Sequence, residues 1–513
     1  MHLSDLSRDW DLVKLLILPC AMLVLAQASR QKAFTRHDTT RYQKAAQNPP
    51  VPKRWKRQFP EGIVIGQCPG WKKEYFVIPT DECLSGLIFG GSGSGKTTGP
   101  LLCTLLANLE RRQEAQERPD LPDHSFTHMT VDLKGELHRM MPKASYYLID
   151  PEDRPGSVGW DPYYRLNVEQ EPSDDLKMQV FSGIAESFVP KGSDEAAFFT
   201  ENASGLLAGF LCWGYEHQYG FIDIVQKILG TNPKELLEGC LKDCDEDSVA
   251  FGYLAKFTGA DESEAFQNFY SEMVTKLSCC KLQSVQYILR DNPVKIGPNK
   301  VREKDVFLAV PDHMLTESLF SPIIRLILEQ TMTYLTLKLP PKGTRPVMIC
   351  IDELFAVGGG TRGKGVSGLE KFLSICRGYR AFCLLALQGT SQLEQQYGKT
   401  QAKILMDNTV IVYLHLRDHE SVKSAVELCG SYFDRETSIS TGRSTSSSVS
   451  WKERKIFDPS DFTSLVERKK VIIVSQTGMN QVDKLQWFNN PYFKDIYQRF
   501  TVDASSTEGG NHE

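Results

Sequence analysis

Residues 90–97 read Gly90-Gly91-Ser92-Gly93-Ser94-Gly95-Lys96-Thr97, a complete G-x-x-x-x-G-K-T. An apolar run precedes it and a helix-like run, 101–108, comes after it, which is the context the motif needs. Glycines let the backbone wrap closely, so that amides point inward at phosphate oxygens. The N-terminus of the following helix adds its dipole. Lys96 is expected to neutralise β- and γ-phosphates, and Thr97 to ligate Mg²⁺. The expected nucleotide-binding set is Gly90, Gly91, Ser92, Gly93, Ser94, Gly95, Lys96, Thr97 and Thr98, with ATP and Mg²⁺ as cofactors. Pro100 falls early in the helix and predicts a bend there. A chance Gly/Ser loop would not place strand, Lys, Thr and helix in register.

Outward from the loop, strand and helix signals alternate. Two short β-like runs, 62–65 and 75–78, come first, joined by a Pro69-Gly70 turn. Further strand-like runs fall at 87–89, 129–131, 146–149, 306–310, 347–351, 382–387, 410–414 and 471–474. Most are apolar without alternation, as expected of strands covered on both faces. The fold class is therefore α/β, built on a sheet. Between about 171 and 300 the pattern turns helical, which reads as an all-α insertion between two strands of the sheet. Expected units are 1–58, an apolar segment and basic linker; 59–170 and 301–500, the two parts of a nucleotide-binding domain; 171–300, the insertion; and 501–513, a disordered tail. Residues 437–450 read as a flexible Ser/Thr loop.

The run 347–351 ends in Asp352-Glu353. A strand next to the phosphate loop would deliver Asp352 to the Mg²⁺ shell and Glu353 to the attacking water. Alone, an apolar run with two acids is a weak signal; beside a phosphate loop it is a strong one, because hydrolysis needs both. The run 382–387 ends at Gln388, which can orient a water or sense the γ-phosphate; the bland alternative is a satisfied polar residue at a strand end. Phosphoryl transfer also needs a cation, and one can come from a neighbouring subunit. Arg377 is the candidate, with Arg380 close by; surface salt bridges are the alternative for either.

The chain has 513 residues, which at ordinary domain size means about three structural units. Hydrophobic residues at 41% and charged residues at 24% exclude a disordered or collagen-like chain. A net charge of −5 excludes coating of nucleic acid through bulk basicity, but leaves room for a local basic channel. Thirteen Cys without regular spacing fit reduced thiols better than a secreted disulfide framework. Residues 12–28 are apolar but shorter than the roughly 20 residues of a spanning helix. They read as a marginal anchor, a buried or partner-binding helix, or a signal peptide without a convincing cleavage site. Basic residues from Arg30 to Arg57, against Asp38 alone, would hold the chain beyond about residue 58 on the cytoplasmic side. Cys240, Cys244, Cys279 and Cys280 could form a zinc site, and His124 with His128 another metal site, but spacing favours core residues in both cases.

Five blocks together carry a family resemblance: GGSGSGKTTGPLL; VDLKGELHRM, with Asp132, Lys134, Gly135 and Glu136; CIDELFAVGG; LALQGTSQLEQQYG, with Gln388, Gln392, Tyr397 and Gly398; and NTVIVYLHLRDHESVKSAVELCG, with Asn408, Asp418, Glu420 and Gly430. The chain resembles the type IV secretion coupling proteins of the TraG/TraD family over about residues 60–490. The resemblance implies a RecA-like P-loop ATPase domain with an inserted all-α domain. It also implies a homo-hexameric ring at the inner membrane that pumps single-stranded DNA. The partners implied are a relaxase or effector protein and the inner-membrane components of a type IV secretion system. Arg377, eleven residues before Gln388, falls where the family's trans-acting arginine is expected. Family members usually carry two N-terminal spans around a small periplasmic domain. This chain shows at most one weak span, so it is expected to be a single-anchor variant or to borrow its anchor from another protein. Competing readings are a related DNA-pumping or secretion-assembly ATPase of the HerA/FtsK superfamily, and a nucleotide-switched recruitment adaptor. The helical insertion argues against a chromosome translocase, and Glu353 argues against a mere switch.

Overall fold

A computed structural model describes residues 51, 53–70, 73–141, 144–152, 155–190, 192, 195–259, 263–311, 313–314, 320–358, 365–441, 445–476 and 478–501. The apolar run 12–28, most of the basic lead and the tail after 501 lie outside these residues. Among the described residues, no helix is long and apolar enough to cross a membrane.

Sixteen strands are described: β1 (Lys56–Arg57), β2 (Gly62–Gln67), β3 (Tyr75–Pro79), β4 (Ser85–Gly90), β5 (Thr127–Asp132), β6 (Tyr146–Ile149), β7 (Gly159–Trp160), β8 (Lys295–Ile296), β9 (Asp305–Ala309), β10 (Val347–Ile351), β11 (Ala381–Leu387), β12 (Thr409–His415), β13 (Ser431–Thr441), β14 (Thr445–Lys455), β15 (Lys470–Ser475) and β16 (Gly478–Lys484). Twelve of them form one sheet in the order β1-β3-β2-β16-β15-β12-β4-β11-β10-β5-β9-β6. The seven strands from β12 to β6 are parallel. The five on the other flank run antiparallel.

The parallel strands are continuous apolar runs because both faces are covered. Every residue of β4, β10 and β11 is buried. The pleat sends alternate residues to opposite faces. Leu87 and Phe89 join Ile349, Ile351 and Leu385 in one core. Ile88 joins Met348, Cys350 and Leu384 in the other. The helices Leu102–Glu117 and Pro491–Thr501 cover the second face. The helix Ser321–Leu337 and the helices after β10, β11 and β12 cover the first.

β6 and β9 are neighbours in the sheet, yet the whole helical insertion lies between them in sequence. The short parallel pair β7–β8 clasps its entry to its exit. Inside, the helices start where the sequence supplies caps. Ser173, Asn232, Ser248 and Ser263 each accept a backbone N–H of the first turn. Pro233 occupies the first helical position behind Asn232. The insertion's apolar residues run on into the core of the first sheet face, so the two are packed as one body.

Residues 437–441 and 445–450 of the expected loop are strand. They belong to a hairpin in which β13 and β14, eleven residues each, pair in unbroken register from Ser431↔Lys455 to Thr441↔Thr445. The Ser/Thr content that suggests a linker is also compatible with strands, since Thr, Ile439 and Val449 favour extended backbone.

Candidate nucleotide site

The phosphate loop leaves the C-terminal end of β4, between β12 and β11, where ligands bind in open α/β sheets. Gly93 (φ 74°) and Gly95 (φ 81°) adopt left-handed backbone that only glycine takes without strain. A Cβ on Gly99 would meet the Leu485 carbonyl oxygen at 2.7 Å, so the loop's exit packs directly on backbone. The expected bend is present as a wide turn at Thr97–Leu101, closed by Leu101 N–H donating to Lys96 O at 3.2 Å, with Gly99 non-helical.

The acid pair arrives by a route the sequence does not suggest. β10 is not adjacent to β4; β11 stands between them. The sheet nonetheless brings the ends together. Thr97 Oγ1 donates to Asp352 Oδ1 at 3.0 Å. Lys96 Nζ donates to Gly90 O at 2.6 Å and lies 3.8 Å from Glu353 Oε2. Burial pushes the Lys96 pKa down, against the pull of Glu353 and Asp352. Burial pushes the Asp352 carboxyl up, opposed by the Thr97 hydroxyl and Lys96. It pushes Glu353 up too, opposed by Lys96 and by a hydrogen bond from the Gln388 side chain. A buried and a half-buried carboxyl against one buried ammonium leave room for a further cation.

Two buried polar atoms at the site, Ser94 Oγ and Glu353 Oε1, have no partner among the described residues. With the hydroxyl of Thr97 and the carboxylate of Asp352, they fit a magnesium–phosphate ligand, since Mg²⁺ takes one or two protein oxygens alongside phosphate and water. Among the described residues, no cluster of three or more His, Cys, Asp or Glu is arranged as a metal cage.

Three residues belong to the site that sequence reasoning gave no role. Lys134, exposed on the turn after β5, acts electrostatically on Lys96, Asp352 and Glu353. Its turn is held by Asp132, whose carboxylate accepts from Glu136 N, His138 N and His138 Nδ1 at 3.0–3.1 Å. Lys484 and Gln486, beyond β16, lie over the loop. Gln486 Nε2 reaches Thr98 Oγ1 at 3.4 Å, and Lys484 Nζ lies 3.2 Å from where a Gly95 Cβ would stand. No local signal marks them, because their proximity depends on a strand pairing remote in sequence.

The helix Thr390–Tyr397 ties the site to its surroundings. Gln388 N–H donates to Gln392 Oε1 at 2.9 Å. Gln396 Nε2 donates to the carbonyls of Leu354 and Phe355, just after the acid pair, at 3.4 Å. Tyr397 Oη accepts from Val366 N at 3.0 Å. The next residue, Ser367, donates its N–H to Glu329 Oε1 at 2.8 Å, and Ser187 of the insertion donates its hydroxyl to Glu329 Oε2 at 2.6 Å. Burial pushes Glu329 up to about 7, and Ser187 and Ser367 oppose the rise.

Arg377 lies elsewhere. It is exposed in the turn Cys376–Tyr379, just before β11, whereas Gln388 follows the far end of the same strand. The structure does not bring it to its own chain's loop. His128 is buried, with Asp305 Oδ2 at 3.4 Å and Thr130 Oγ1 at 2.9 Å, while His124 lies 3.9 Å from Glu61. Each ring therefore has its own partners. Cys279 and Cys280 place their sulfurs 4.0 Å apart, and burial pushes the Cys240 thiol up to about 12. Cys240, Cys279 and Cys280 are all buried in the core.

A mixed sheet whose parallel part carries a glycine-rich loop on a central strand, with a Lys-Thr pair and an acid pair at the same edge, defines a RecA-like P-loop fold. The chain belongs to the type IV secretory system conjugative DNA transfer family, whose family model matches residues 172–509. Solved structures agree on the fold. The bacterial conjugative coupling protein TrwBΔN70, in an unbound form, superposes with a TM-score of 0.61 at 17% identity, over 82% of this chain and 88% of that one. The plasmid coupling protein TrwB in complex with a non-hydrolysable ATP analogue gives 0.57 at 16%, over 79% and 86%. TrwB with ADP and Mg²⁺ gives 0.53 at 18%, over the same shares. No curated protein matches the chain.

Proposed function

We propose that this chain is an ATP-hydrolysing motor that couples DNA to a type IV secretion channel. The observation that carries the reading is the convergence of Thr97 on Asp352 at 3.0 Å with Lys96 and Glu353 beside them. TrwB, with which it shares its fold, has been seen with an ATP analogue and with ADP and Mg²⁺. Thr97 and Asp352 would hold Mg²⁺, which would supply charge neutralisation at the phosphates. The chain's own groups do the rest. The loop amides and Lys96 orient the triphosphate. Glu353, its pKa raised by burial, takes the proton of the attacking water.

In this reading, six copies form a ring at the cytoplasmic face of the inner membrane. Hydrolysis drives single-stranded DNA, with a relaxase, or an effector protein, toward the channel. DNA would be held through phosphate contacts without sequence preference. Lys96→Ala should abolish DNA-stimulated ATP hydrolysis, measured as phosphate release; undiminished hydrolysis would sink the proposal.

A further inference from the structure

We propose that Lys484 is a second phosphate-binding cation of the nucleotide site, which holds the α-phosphate from the antiparallel side of the sheet. This rests on the reading of the loop as a Mg²⁺-nucleotide site and names a residue that serves ADP and ATP alike.

β16 stands three places from β4 in the sheet, with β15 and β12 between them. Its end nonetheless lies on the loop, because the antiparallel flank reaches back over the helix that follows the loop. Lys484 pairs with Gly66 of β2, and Val64 of β2 donates its N–H to Thr104 Oγ1 of that helix at 2.9 Å. Past β16 the chain stays extended at Gln486 (φ −138°, ψ 136°), so Lys484 and Gln486 share one side and Leu485 takes the other. Leu485 is buried in one core with Leu101 and Leu102, and its carbonyl abuts Gly99. Residues 484–486 are thereby strapped along the loop. A Cβ on Gly95 would meet Gln486 Nε2 at 3.0 Å, Lys484 Cε at 3.1 Å and Lys484 Nζ at 3.2 Å. Gln486 Nε2 also donates to Thr98 Oγ1 at 3.4 Å.

The charges here select the ligand. Lys484 is half-buried, and burial pushes its pKa down. Among the described residues no carboxylate pairs with it, and the adjacent Asp483 is taken by Lys470. Its ammonium rests instead on a loop whose inward amides and Lys96 are already positive. Arg417 adds to that rim: its Cδ lies 3.9 Å from where a Gly91 Cβ would stand, and its Nε donates to His415 Nε2 at 3.1 Å. Like charges repel, and a flexible stem lets an ammonium leave for water; an anion between them turns repulsion into attraction. The direction of the loop names the anion. The acid pair arrives from β10, so the γ end of a triphosphate faces β10, and Lys96 serves the β- and γ-phosphates. The opposite rim, at Thr98, is left for the α-phosphate, which loop amides cradle without neutralising. Lys suits that place as a compact charge on a reaching stem. Nothing in the placement depends on a γ-phosphate.

The test uses the full chain with Mg²⁺, titrated calorimetrically with ADP and with a non-hydrolysable ATP analogue. Lys484→Met keeps the stem and removes the charge. It should bind each nucleotide at least about tenfold more weakly, the worth of one hydrogen bond to a charged group, and the two factors should agree within about twofold. Lys484→Arg restores the charge and should recover most of the loss. In steady-state hydrolysis by Lys484→Met, the loss should fall mainly on KM, with kcat reduced by less than about threefold, because the α-phosphate is held alike in ground and transition states. The assignment is overturned if Lys484→Met binds ADP as the unsubstituted chain does. It is also overturned if the ATP analogue loses about tenfold more than ADP, which would place the lysine at the γ-phosphate. A third contrary result is weaker binding that comes with a lowered unfolding temperature in the absence of nucleotide and that Lys484→Arg does not restore; the residue would then only pack the strap. Equal binding of ADP by Lys484→Met and the unsubstituted chain removes the α-phosphate contact and leaves the nucleotide site. An unsubstituted chain that binds neither nucleotide removes the site itself.

Discussion

Glu353 and Glu329 are two half-buried carboxyls with separate tasks. Glu353 lies 3.8 Å from Lys96 and keeps one oxygen unpartnered, as a base that must receive a water's proton does. Glu353→Gln keeps size and shape but cannot take the proton. Nucleotide binding should persist while single-turnover hydrolysis falls by about a hundredfold or more. Equal loss of binding and hydrolysis would mean that the residue holds nucleotide rather than activating water. Glu329 serves no chemistry, yet it joins the insertion to the segment behind the acid pair. Its pKa is raised from the ordinary 4.5 to about 7. Folding therefore favours its protonated form. That stabilisation is complete below about 4.5 and is lost as pH rises through about 7. Glu329→Gln mimics the protonated form, with its oxygen accepting from Ser367 and its amide donating to Ser187. Between pH 5 and 8 the unsubstituted chain should lose at most about 3 kcal/mol relative to the variant in urea unfolding. The figure is an upper bound because an adjoining cavity of about 300 Å³ admits water. A difference that stays flat across that range would place the carboxyl in water and remove it as a buried junction.

At the scale of elements, the sequence shows most where a local rule suffices. The parallel strands are readable because burial on both faces demands unbroken apolar runs, as in β11, Ala381–Leu387. β16 (GMNQVDK) is not readable, because the buried positions are Asn480 and Val482 and a polar Asn breaks the apolar alternation. β7 and β8, two residues each, are too short to have one. The hairpin is missed because Ser and Thr mark linkers and strands alike. The family blocks are legible as letters, and the structure supplies their physics. Asp418 caps the helix His419–Cys429 by accepting Ser421 N–H at 2.8 Å, and Gly430 ends it at φ 76°. The block 388–398 is the helix that fastens the site to its neighbours. Tyr397→Phe tests that fastening. It removes the acceptor of Val366 N–H and leaves a buried donor unpaired, at a cost of about 1–3 kcal/mol. Thermal unfolding should move down. DNA-stimulated hydrolysis should fall further than DNA-free hydrolysis, because the segment tied by Tyr397 leads through Glu329 to the insertion. Equal loss of both rates would make Tyr397 a core residue and nothing more.

At the scale of the whole molecule, the trans role expected of Arg377 would require more than one copy. Arg377 precedes β11 and Gln388 follows it. Seven strand residues separate the two ends by roughly 23 Å. An arginine at one edge of the sheet cannot reach a phosphate at the other edge of the same chain. A head-to-tail contact, in which one copy's amino-terminal edge meets the next copy's loop, closes that distance, and a repeated heterologous contact that closes makes a ring. The family resemblance marks Arg377 as a trans-acting arginine, and the structure adds the edge-to-edge distance that such a role would have to bridge. If Arg377 completes the neighbour's site, Arg377→Ala and Glu353→Gln are complementary defects. Each should be nearly inactive alone. Mixed in equal amounts, about a quarter of the interfaces pair an intact Glu353 with an intact Arg377, so hydrolysis should recover to about a quarter of the unsubstituted rate. Differently tagged variants that co-purify establish that mixed assemblies exist. In such assemblies, phosphate release no higher than the sum of the two separate variants would confine Arg377 to a role within its own chain.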